Sequence, residues 1–594
     1  MFSESKNRLK GIAAAPGIAI TTAHVYTREQ EKIHDTAIED IQEAKDSLAE
    51  AIEKSKKELK KVFGLAIDKL GEKRAGIFEA QIMILDDPVL LNNLNNRIES
   101  EKKLPEFIVD SEISKYQELM AASDETYMKE RSQDIEDIKY RIIKNLKKKK
   151  WKSNIKSNVI VVLETLTPAD TVLFSRADVK GYITEFGGLT SHAAIISRSL
   201  NIPAVVGVHD ATKMISEGDQ IIIDGFHGEI FVNPTEDQLQ YYRDKIENLH
   251  KYDEQLAKLR DEPAVTKDGK HIGLMANLDL AYEVDFIIGN GAKGIGLVRT
   301  EQIFEEHGEF PDEDTQFKVF NELAQRIYPE RVIIRAFDIG GDKVLPVDVK
   351  EPNPFLGWRG IRFLLDNVEL FKNQLKAILR AGTNNNVSLM IPMISSIEEI
   401  RKTKVLIQEC KAELEKNNHK FGNEIELGIM IEIPSAAVMA KEFSEEVDFI
   451  SIGTNDLIQY LLAVDRGNEI VSGQYQEFNP AVIRTLSFII REGKLSEVFV
   501  SMCGEMAADP VAVPLLIGLG LDSISVSSSA IPSIKQLIRN LNYKEVKKLA
   551  EECLLLKTEK EINDLLHKFF KENIEGLYGI DFLLEEENNH FSND

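Results

Sequence analysis

Six polar residues in the second half of the chain have side chains suited to anion binding, metal binding or acid chemistry. Each lies at or just after the end of a short apolar run: Arg299, Arg335, Glu432, Asn455, Asp456 and Cys503. Guanidinium groups pair with phosphate or carboxylate oxygens through two parallel hydrogen bonds, and Mg²⁺ prefers carboxylate ligands. The set therefore predicts a site for a small phosphorylated substrate that also carries a carboxylate and is held on Mg²⁺.

Separate roles follow from the chemistry of these side chains. Glu432 and Asp456 are the predicted Mg²⁺ ligands, and Arg466, in the segment AVDRGN, would add a third arginine to the anion site. Cys503, beside a glycine, is a candidate proton donor. Two structural alternatives stay open. The arginines and carboxylates could form ion pairs around a barrel rim, and Cys503 could be a buried free thiol.

A further candidate, His192, ends the segment GGLTSH at the start of a predicted helix. Thr190 or Ser191 can cap this helix, and the glycines let backbone N–H groups approach an anion. The positive end of the helix dipole disfavours imidazolium and stabilises an arriving phosphoryl group. A neutral, nucleophilic histidine at this position suits reversible phosphorylation. The alternative is a histidine with a purely structural role.

The apolar runs that precede the six polar residues predict a (β/α)8 barrel. Eight runs, mostly separated by helix-length stretches, span close to the ~250 residues of that fold. The runs are HIGLMAN, GIGLV, RVIIRAF, SLMIPMI, LGIMIE, VDFISIG, VFVSMCG and SISVS. Runs this continuous are typical of parallel strands that are buried on both faces. The active site of such a barrel lies at the C-terminal ends of its strands, where the polar residues fall.

The first half of the chain has a different organisation. Short β-branched runs at its beginning and again after Ser157 predict an α/β domain. Between them, the region from Thr36 to Leu146 has the apolar spacing of helices, which predicts a helical subdomain inserted into the α/β domain. A charged amphipathic helix from Glu236 to Leu259 would link the two halves and carry the hinge between them.

Composition narrows the class of protein. The net charge of −25 over 594 residues argues against nucleic acid or an anionic membrane as a partner. No stretch is apolar enough to span a membrane, and the N-terminus does not have the pattern of a signal peptide, so we expect a cytoplasmic protein. The three cysteines lie far apart, which argues against a disulfide framework or a cysteine-based zinc site.

Several motifs together resemble the Enzyme I family of the bacterial phosphoenolpyruvate:sugar phosphotransferase system, in order and spacing, over nearly the whole chain. They are GGLTSHAAIISRSLNIPAVVG, GIGLVRTE, RAFDIGGDK, NPFLGWRGIR, GIMIEIPSAA, SIGTNDLIQYLLAVDRGN and SMCGEMAADP. The resemblance implies an α/β phosphohistidine domain with an inserted helical subdomain that binds the carrier protein HPr. It also implies a C-terminal TIM barrel that binds phosphoenolpyruvate and forms a homodimer.

The resemblance also implies a role for each candidate residue. His192 would accept the phosphoryl group of phosphoenolpyruvate and pass it to a histidine of HPr, the first step of the sugar phosphotransferase system. The contacts to phosphoenolpyruvate would be Arg299, Arg335, Asn455, Asp456 and Arg466. Glu432 and Asp456 would bind Mg²⁺, and Cys503 would protonate enolpyruvate to pyruvate. Lys343 and Arg359 also fall in family motifs and would be secondary phosphate contacts.

Domain boundaries follow from these patterns and the resemblance. They are residues 1–30 and 150–235 for the α/β domain, 31–149 for the helical subdomain, 236–262 for the linker helix, 263–575 for the barrel and dimerisation domain, and 576–594 for an acidic tail. Two residues depart from the family pattern: Leu189 stands where a basic residue is usual, and Gln81 where histidine is usual. We expect these departures to affect the rate and not the class of reaction.

Three other classes of protein are the alternatives. A dikinase shares the histidine domain and the barrel but needs an ATP-binding domain, and no glycine-rich nucleotide loop precedes His192. A non-catalytic signalling module would not need the arginines, carboxylates and cysteine of the second half. A pyruvate-kinase-like enzyme would have no use for the first half.

Overall fold

The structure is a computed structural model that describes most of the chain as two compact units, one within Met1–Asn248 and one within Leu249–Phe582. The described residues are 7–26, 33–70, 78, 81–121, 126–148, 157–166, 170, 174, 177–188, 194, 197–198, 202–279, 283–301, 303, 310–340, 351, 353–466, 468 and 471–574. Each unit has its own sheet and its own buried apolar core.

The first unit contains a mixed eight-stranded sheet in the order β1-β8-β7-β3-β4-β5-β6-β2. The strands are β1 Arg8–Lys10, β2 Ile12–Ala15, β3 Ile18–Val25, β4 Val159–Leu163, β5 Gly181–Thr184, β6 Ala204–Val206, β7 Gln220–Asp224 and β8 Glu229–Val232. Strands β3 to β6 run parallel, and the outer pairs are antiparallel. Every residue of β4, VIVVL, is buried, as the continuous β-branched run indicates.

A helical subdomain is inserted between β3 and β4, two parallel strands that pair with Thr22 opposite Val159. Its helices are Ile41–Leu70, Pro88–Glu101, Pro105–Ala121 and Thr126–Leu146. Leu48, Leu59 and Ile142, which recur at helical spacing in the sequence, are buried in its core. The predicted departure from the α/β domain and return to it is therefore confirmed.

Two further helices are Ala211–Met214, in the first unit, and Glu236–Lys258, which begins in the first unit and ends in the second. Leu239 and Tyr242 of the second helix are buried against Ile222 and Phe231 of the sheet. The apolar stripe of this charged sequence thus has a partner in the first unit. The division between the two units falls within the helix. Its function as a hinge stays a prediction.

The second unit is a closed barrel of eight parallel strands in the order β10-β11-β12-β13-β14-β15-β16-β9. The strands are β9 Gly273–Leu278, β10 Ile295–Val298, β11 Val332–Arg335, β12 Val387–Ile391, β13 Glu426–Ile431, β14 Phe449–Ile452, β15 Phe499–Met502 and β16 Ser523–Val526. Each overlaps one of the eight apolar runs singled out in the sequence and extends beyond it by at most one residue. The (β/α)8 barrel is confirmed.

Helices surround this barrel. They are Val284–Gly289, Glu313–Ile327, Ile361–Asp366, Val368–Ala381, Ile397–Lys416, Pro434–Val438, Ala440–Ser444, Thr454–Leu462, Pro480–Leu495, Ala512–Leu519, Ile531–Asn540, Tyr543–Cys553 and Glu559–Ile574. Short 3-10 helices are Pro354–Leu356, Gly382–Asn384, Ser472–Gln474, Glu505–Ala508 and Ser528–Ala530. Within the described ranges, no helix has the length and apolar character needed to cross a bilayer.

Apolar side chains from successive strands fill the barrel interior. The buried cluster is Leu297, Ile333, Met390, Met430, Phe449 and Cys503. The Phe449 ring packs where Gly428 leaves room, since a Cβ at Gly428 would come within 2.3 Å of the ring. The interior is therefore a packed core that supports the strand ends and not an open channel.

We predict that Phe449→Ala destabilises the barrel by about 3–5 kcal/mol, because it leaves a cavity where a fully buried ring packs. Phe286→Ala is the matched control, since Phe286 is 63% exposed. Its expected effect is within about 0.5 kcal/mol. Differential scanning calorimetry of the full chain measures both changes. Equal transition temperatures for the two variants would contradict this account of the barrel core.

Candidate active site

The predicted barrel residues meet at the C-terminal ends of the strands. Arg299, Glu432 and Cys503 each come directly after a strand, and Arg335 is the last residue of β11. Asn455 and Asp456 lie in the first turn of helix Thr454–Leu462, which follows β14. Together with Arg466, all of them line one cavity of about 290 Å³. The structure therefore brings together every barrel residue that the sequence singled out for the site.

The cavity wall has more acidic than basic groups among its described residues. Its carboxylates are Asp279, Glu301, Asp338, Glu432, Asp456 and Glu505, and its guanidinium groups are Arg299, Arg335, Arg359 and Arg466. An anionic ligand would enter a wall whose own charges sum to a negative value. Such a site needs either a cation or the release of arginines from their internal partners.

A series of ion pairs, which we call the buried charge chain, runs through Glu301, Arg335, Asp338, Arg359 and Asp456. Nη2 of Arg335 donates to both oxygens of Glu301, at 3.0 and 3.1 Å. Nη1 of Arg335 lies 3.5 Å from Asp338 Oδ2. Arg359 donates to Asp338 at 2.8 and 3.2 Å and to Asp456 at 3.3 and 3.4 Å. The structural alternative for these arginines, ion pairing at the barrel rim, is thus present in the structure.

Neighbouring carboxylates stabilise the charged form of the two arginines in the buried charge chain. Burial alone would lower the pKa of Arg359, but the carboxylates of Asp338 and Asp456 raise it above its ordinary value. The pKa of Arg335 is raised in the same way, against the effect of burial, by Glu301 and Asp338. Nε of Arg335 is buried and has no hydrogen-bond partner among the described residues. Arg335 nevertheless lines the cavity, so its ion pairs do not exclude a contact with a ligand.

Glu432 is a buried carboxyl group beside other carboxylates. Its Oε1 accepts a hydrogen bond from the backbone N–H of Met393 at 2.6 Å. Burial, together with the negative charges of Asp456 and Asp338, raises the pKa of Glu432 well above its usual range. Gly453 borders the other oxygen, since a Cβ there would lie 3.0 Å from Oε2. The ionised form of Glu432 therefore needs a nearby cation more than a surface glutamate does.

The residues present fit a hard divalent cation. Glu432 and Asp456 offer carboxylate oxygens in one cavity, which are the donors that Mg²⁺ prefers. Over the described part of the chain, no group of three or more His, Cys, Asp or Glu side chains converges as a ready metal cage. Mg²⁺ commonly binds through one or two carboxylates, with water and substrate phosphate as its other ligands.

Asn455 and Arg466 lie on the wall near a second carboxylate. The Asn455 amide donates to Glu505 Oε1 and accepts from the Glu505 backbone N–H, both at 2.9 Å. Tyr475 donates through its hydroxyl to the Asn455 carbonyl at 3.3 Å. The backbone N–H of Arg466 donates to Gln459 Oε1 at 3.2 Å. These contacts fix the backbone and the amide plane of Asn455.

Cys503 belongs both to the barrel core and to the cavity wall. Burial raises the pKa of its thiol, and a hydrogen bond donated by Ser451 Oγ at 3.3 Å partly offsets that shift. The thiol is therefore protonated at neutral pH. A protonated thiol facing a ligand cavity can give up a proton, so the core role and the donor role are compatible.

Arg299 has a different setting from the buried arginines. Its Nη1 donates to Asp279 Oδ1 at 2.9 Å, and its side chain is 36% exposed. Asp279 and Arg299 directly follow the neighbouring strands β9 and β10. Parallel neighbours place their strand ends together, which accounts for the contact.

Some predicted residues lie outside the described part of the chain. They are His192, its neighbours Leu189, Thr190 and Ser191, and Lys343. Gly187 and Gly188, which lead toward His192, are described, and Gly187 has a φ of 126°, a value suited to glycine. Gln81 is buried in the helical subdomain, and its Oε1 has no hydrogen-bond partner among the described residues.

Sequence reasoning missed several residues of the wall. Glu301, Asp338 and Glu505 lie within the family-like motifs but have no role predicted from sequence. Asp279 lies outside these motifs and has no predicted role either. A usable signal existed for Glu301 and Asp338, since both follow barrel strands within a few residues of the predicted arginines. The pairing of buried arginines with carboxylates could have directed attention to them.

Comparison with known proteins identifies the family to which each part of the chain is similar. Three family models match: "PEP-utilising enzyme, N-terminal" over residues 10–131, "PEP-utilising enzyme, mobile domain" over 155–228 and "PEP-utilising enzyme, PEP-binding domain" over 253–543. The barrel with its arginine and carboxylate wall falls within the last of these. Fold and site thus define a phosphoenolpyruvate-utilising class of protein.

Curated relatives narrow that class. A phosphoenolpyruvate-protein phosphotransferase of Staphylococcus carnosus is 39% identical over 95% of this chain and 99% of its own length. One of Bacillus subtilis is 40% identical over 95% of this chain and 100% of its own. A solution structure of an Enzyme I protein is 37% identical and covers 41% of this chain and 99% of its own, with a TM-score of 0.37. The chain belongs to the phosphoenolpyruvate-protein phosphotransferase family, and the resemblance seen in its motifs is confirmed.

The buried charge chain predicts that Arg359→Met destabilises the barrel. Removing this guanidinium leaves Asp456 buried without this partner and leaves Asp338 with Arg335, at 3.5 Å. The expected loss is about 3–5 kcal/mol at neutral pH.

Thermal unfolding of the full chain measures this effect. Arg401→Met is the matched control, because Arg401 forms an exposed ion pair with Glu446 and its side chain is 66% exposed. Its expected cost is at most about 1 kcal/mol. Equal losses for the two variants would show that the buried carboxylates do not depend on Arg359.

Proposed function

We propose that this chain transfers the phosphoryl group of phosphoenolpyruvate to its own His192 and then to a histidine of the carrier protein HPr, releasing pyruvate. The observation that carries the proposal is the convergence of arginines, two metal-type carboxylates and a protonated thiol in one cavity at the C-terminal end of the barrel. Family membership supports it, because the curated relatives are named for this activity.

Substrate binding would use the arginines and the amide of the wall. Arg335 lines the cavity while its Nη groups stay on the buried charge chain. Arg299 and Arg466 line the same cavity and can pair with phosphate or carboxylate oxygens. Asn455 adds a neutral donor. Because Arg335 and Arg359 are held by fixed partners, binding requires little rearrangement of these two side chains.

The reaction balances over named atoms. The bond between phosphorus and the enol oxygen breaks, and a bond from phosphorus to a ring nitrogen of His192 forms. The leaving enolpyruvate takes a proton at its methylene carbon and becomes pyruvate. Cys503 is the proposed donor of that proton, since its thiol is protonated and faces the cavity. The thiolate that results would be reprotonated from water before the next cycle.

We propose that Glu432 and Asp456 hold Mg²⁺ in this site. Bound there, the ion would neutralise negative charge on the phosphate and on the acidic wall. The raised pKa of Glu432 supports this assignment, because a carboxyl group whose ionised form is disfavoured gains most from a neighbouring cation.

Further parts of the proposal concern organisation. The α/β unit would carry the phosphohistidine, the helical subdomain would bind HPr, and the helix Glu236–Lys258 would link them to a barrel that forms a homodimer. The boundaries proposed from sequence, with the linker at 236–262 and the tail at 576–594, belong to this assignment. The location would be the cytoplasm, where phosphoenolpyruvate is made, and the reaction would start sugar uptake.

The direct test of the function is labelling with phosphoenolpyruvate that carries ³²P. The full chain with Mg²⁺ should acquire acid-labile label on residues before Glu236, and purified HPr should remove it. His192→Ala should abolish the label, because it removes the nucleophile. The control His250→Ala changes an exposed histidine elsewhere and should label like the parent chain. Label that persists in His192→Ala, or equal labelling from ATP, would refute the proposal.

A further inference from the structure

Asp279 and Arg299 form an ion pair that the barrel itself creates. Strands β9 and β10 are neighbours, with Leu278 opposite Val298. The backbone N–H of Arg299 donates to the Leu278 carbonyl at 2.9 Å. Asp279 and Arg299, the residues that directly follow these two strands, therefore lie side by side. Nη1 of Arg299 donates to Asp279 Oδ1 at 2.9 Å.

This pair differs from the other arginine contacts of the cavity. Arg335 and Arg359 are buried, and each lies between two carboxylates. The Arg299–Asp279 pair rests on one hydrogen bond between partly exposed side chains, 36% and 46% exposed. Among these three arginines, Arg299 is the one whose guanidinium can exchange partners at low cost, because exposed ion pairs contribute at most about 1 kcal/mol.

Both side chains of the pair line the cavity that holds the proposed phosphoenolpyruvate site. A phosphate or carboxylate group of a ligand that binds the Arg299 guanidinium has to displace Asp279, which already forms an ion pair with it. Two anions then compete for one cation, and ligand affinity is reduced by the fraction of molecules in which the internal partner is bound.

We propose that Asp279 is an internal competitor that occupies Arg299 in the ligand-free protein and weakens the affinity of the site for phosphoenolpyruvate. This inference rests on the proposed function, since it takes phosphoenolpyruvate as the ligand. Asp279 acts through Arg299 and is an affinity-setting residue. It makes the release of Arg299 part of each binding event.

Equilibrium binding of phosphoenolpyruvate tests the proposal. Asp279→Asn keeps an oxygen acceptor but removes the charge, and Asp279→Glu keeps the charge. In a full-chain His192→Ala background with Mg²⁺, calorimetry should show about two- to fivefold tighter binding for Asp279→Asn, the size expected of an exposed ion pair. Asp279→Glu should bind like the parent. In the catalytically intact chain, Asp279→Asn should lower the KM for phosphoenolpyruvate by a similar factor.

A matched control separates this effect from a general change in surface charge. Asp285→Asn removes the carboxylate of an exposed ion pair with Arg326, and neither residue is part of the described cavity wall. It should leave the affinity unchanged. The gain at Asp279→Asn should also shrink at about 0.5 M salt, because exposed charges are then screened.

Other outcomes overturn the proposal. Weaker binding by Asp279→Asn would mean that the carboxylate orients Arg299 for the ligand. Unchanged binding would mean that the pair is not broken when the ligand arrives. Failure of the proposed function is distinguishable, because the parent chain would then bind no phosphoenolpyruvate and no variant could be compared with it.

Discussion

Arg359 lies between two buried carboxylates, Asp338 and Asp456, that follow different strands of the barrel, and the geometry of the candidate site depends on that contact. Without it, Asp456 would lose this ion pair and Asp338 would keep Arg335, at 3.5 Å, where the apolar core ends. Arg335 continues the same chain of charges to Glu301 on the other side. The chain joins the ends of β10, β11 and β14, so that Arg335, Arg359 and Asp456 are positioned by one connected network and not by independent loops.

The network also explains why a site rich in arginine can still be short of positive charge. Its carboxylates already form ion pairs with Arg335 and Arg359. The described wall also has more acidic than basic groups. A ligand with both a phosphate and a carboxylate therefore needs a cation, or arginines released from their internal partners. Burial, and then the charges of Asp456 and Asp338, raise the pKa of Glu432 in this wall. The proposed Mg²⁺ binding and the proposed Arg299–Asp279 competition would both follow from this charge balance.

Much of this arrangement could be predicted from sequence because parallel barrel strands have a simple signature. Continuous β-branched runs located all eight strands, and the polar residues at their ends identified Arg299, Arg335 and Glu432. The partners were harder to find. Asp338 and Glu301 belong to the site because the strand ends that carry them are neighbours in space. Residue spacing along a single strand does not reveal that neighbourhood. Cys503 shows a second limit, since its residue type suits both a core position and a proton donor, and it lies both in the core and on the cavity wall. His192 stays a prediction from its motif.

The excess of carboxylates over guanidinium groups in the cavity wall predicts that the ligand binds together with a divalent cation. Calorimetric titration of phosphoenolpyruvate into the full-length His192→Ala chain tests this prediction directly. Parallel titrations would be made in Mg²⁺ and in EDTA. Because the ligand and the wall are both negatively charged, the predicted result is one site per chain in Mg²⁺ and affinity about tenfold or more weaker in EDTA. Equal affinity in the two solutions would contradict the account, because the four arginines would then suffice without a cation.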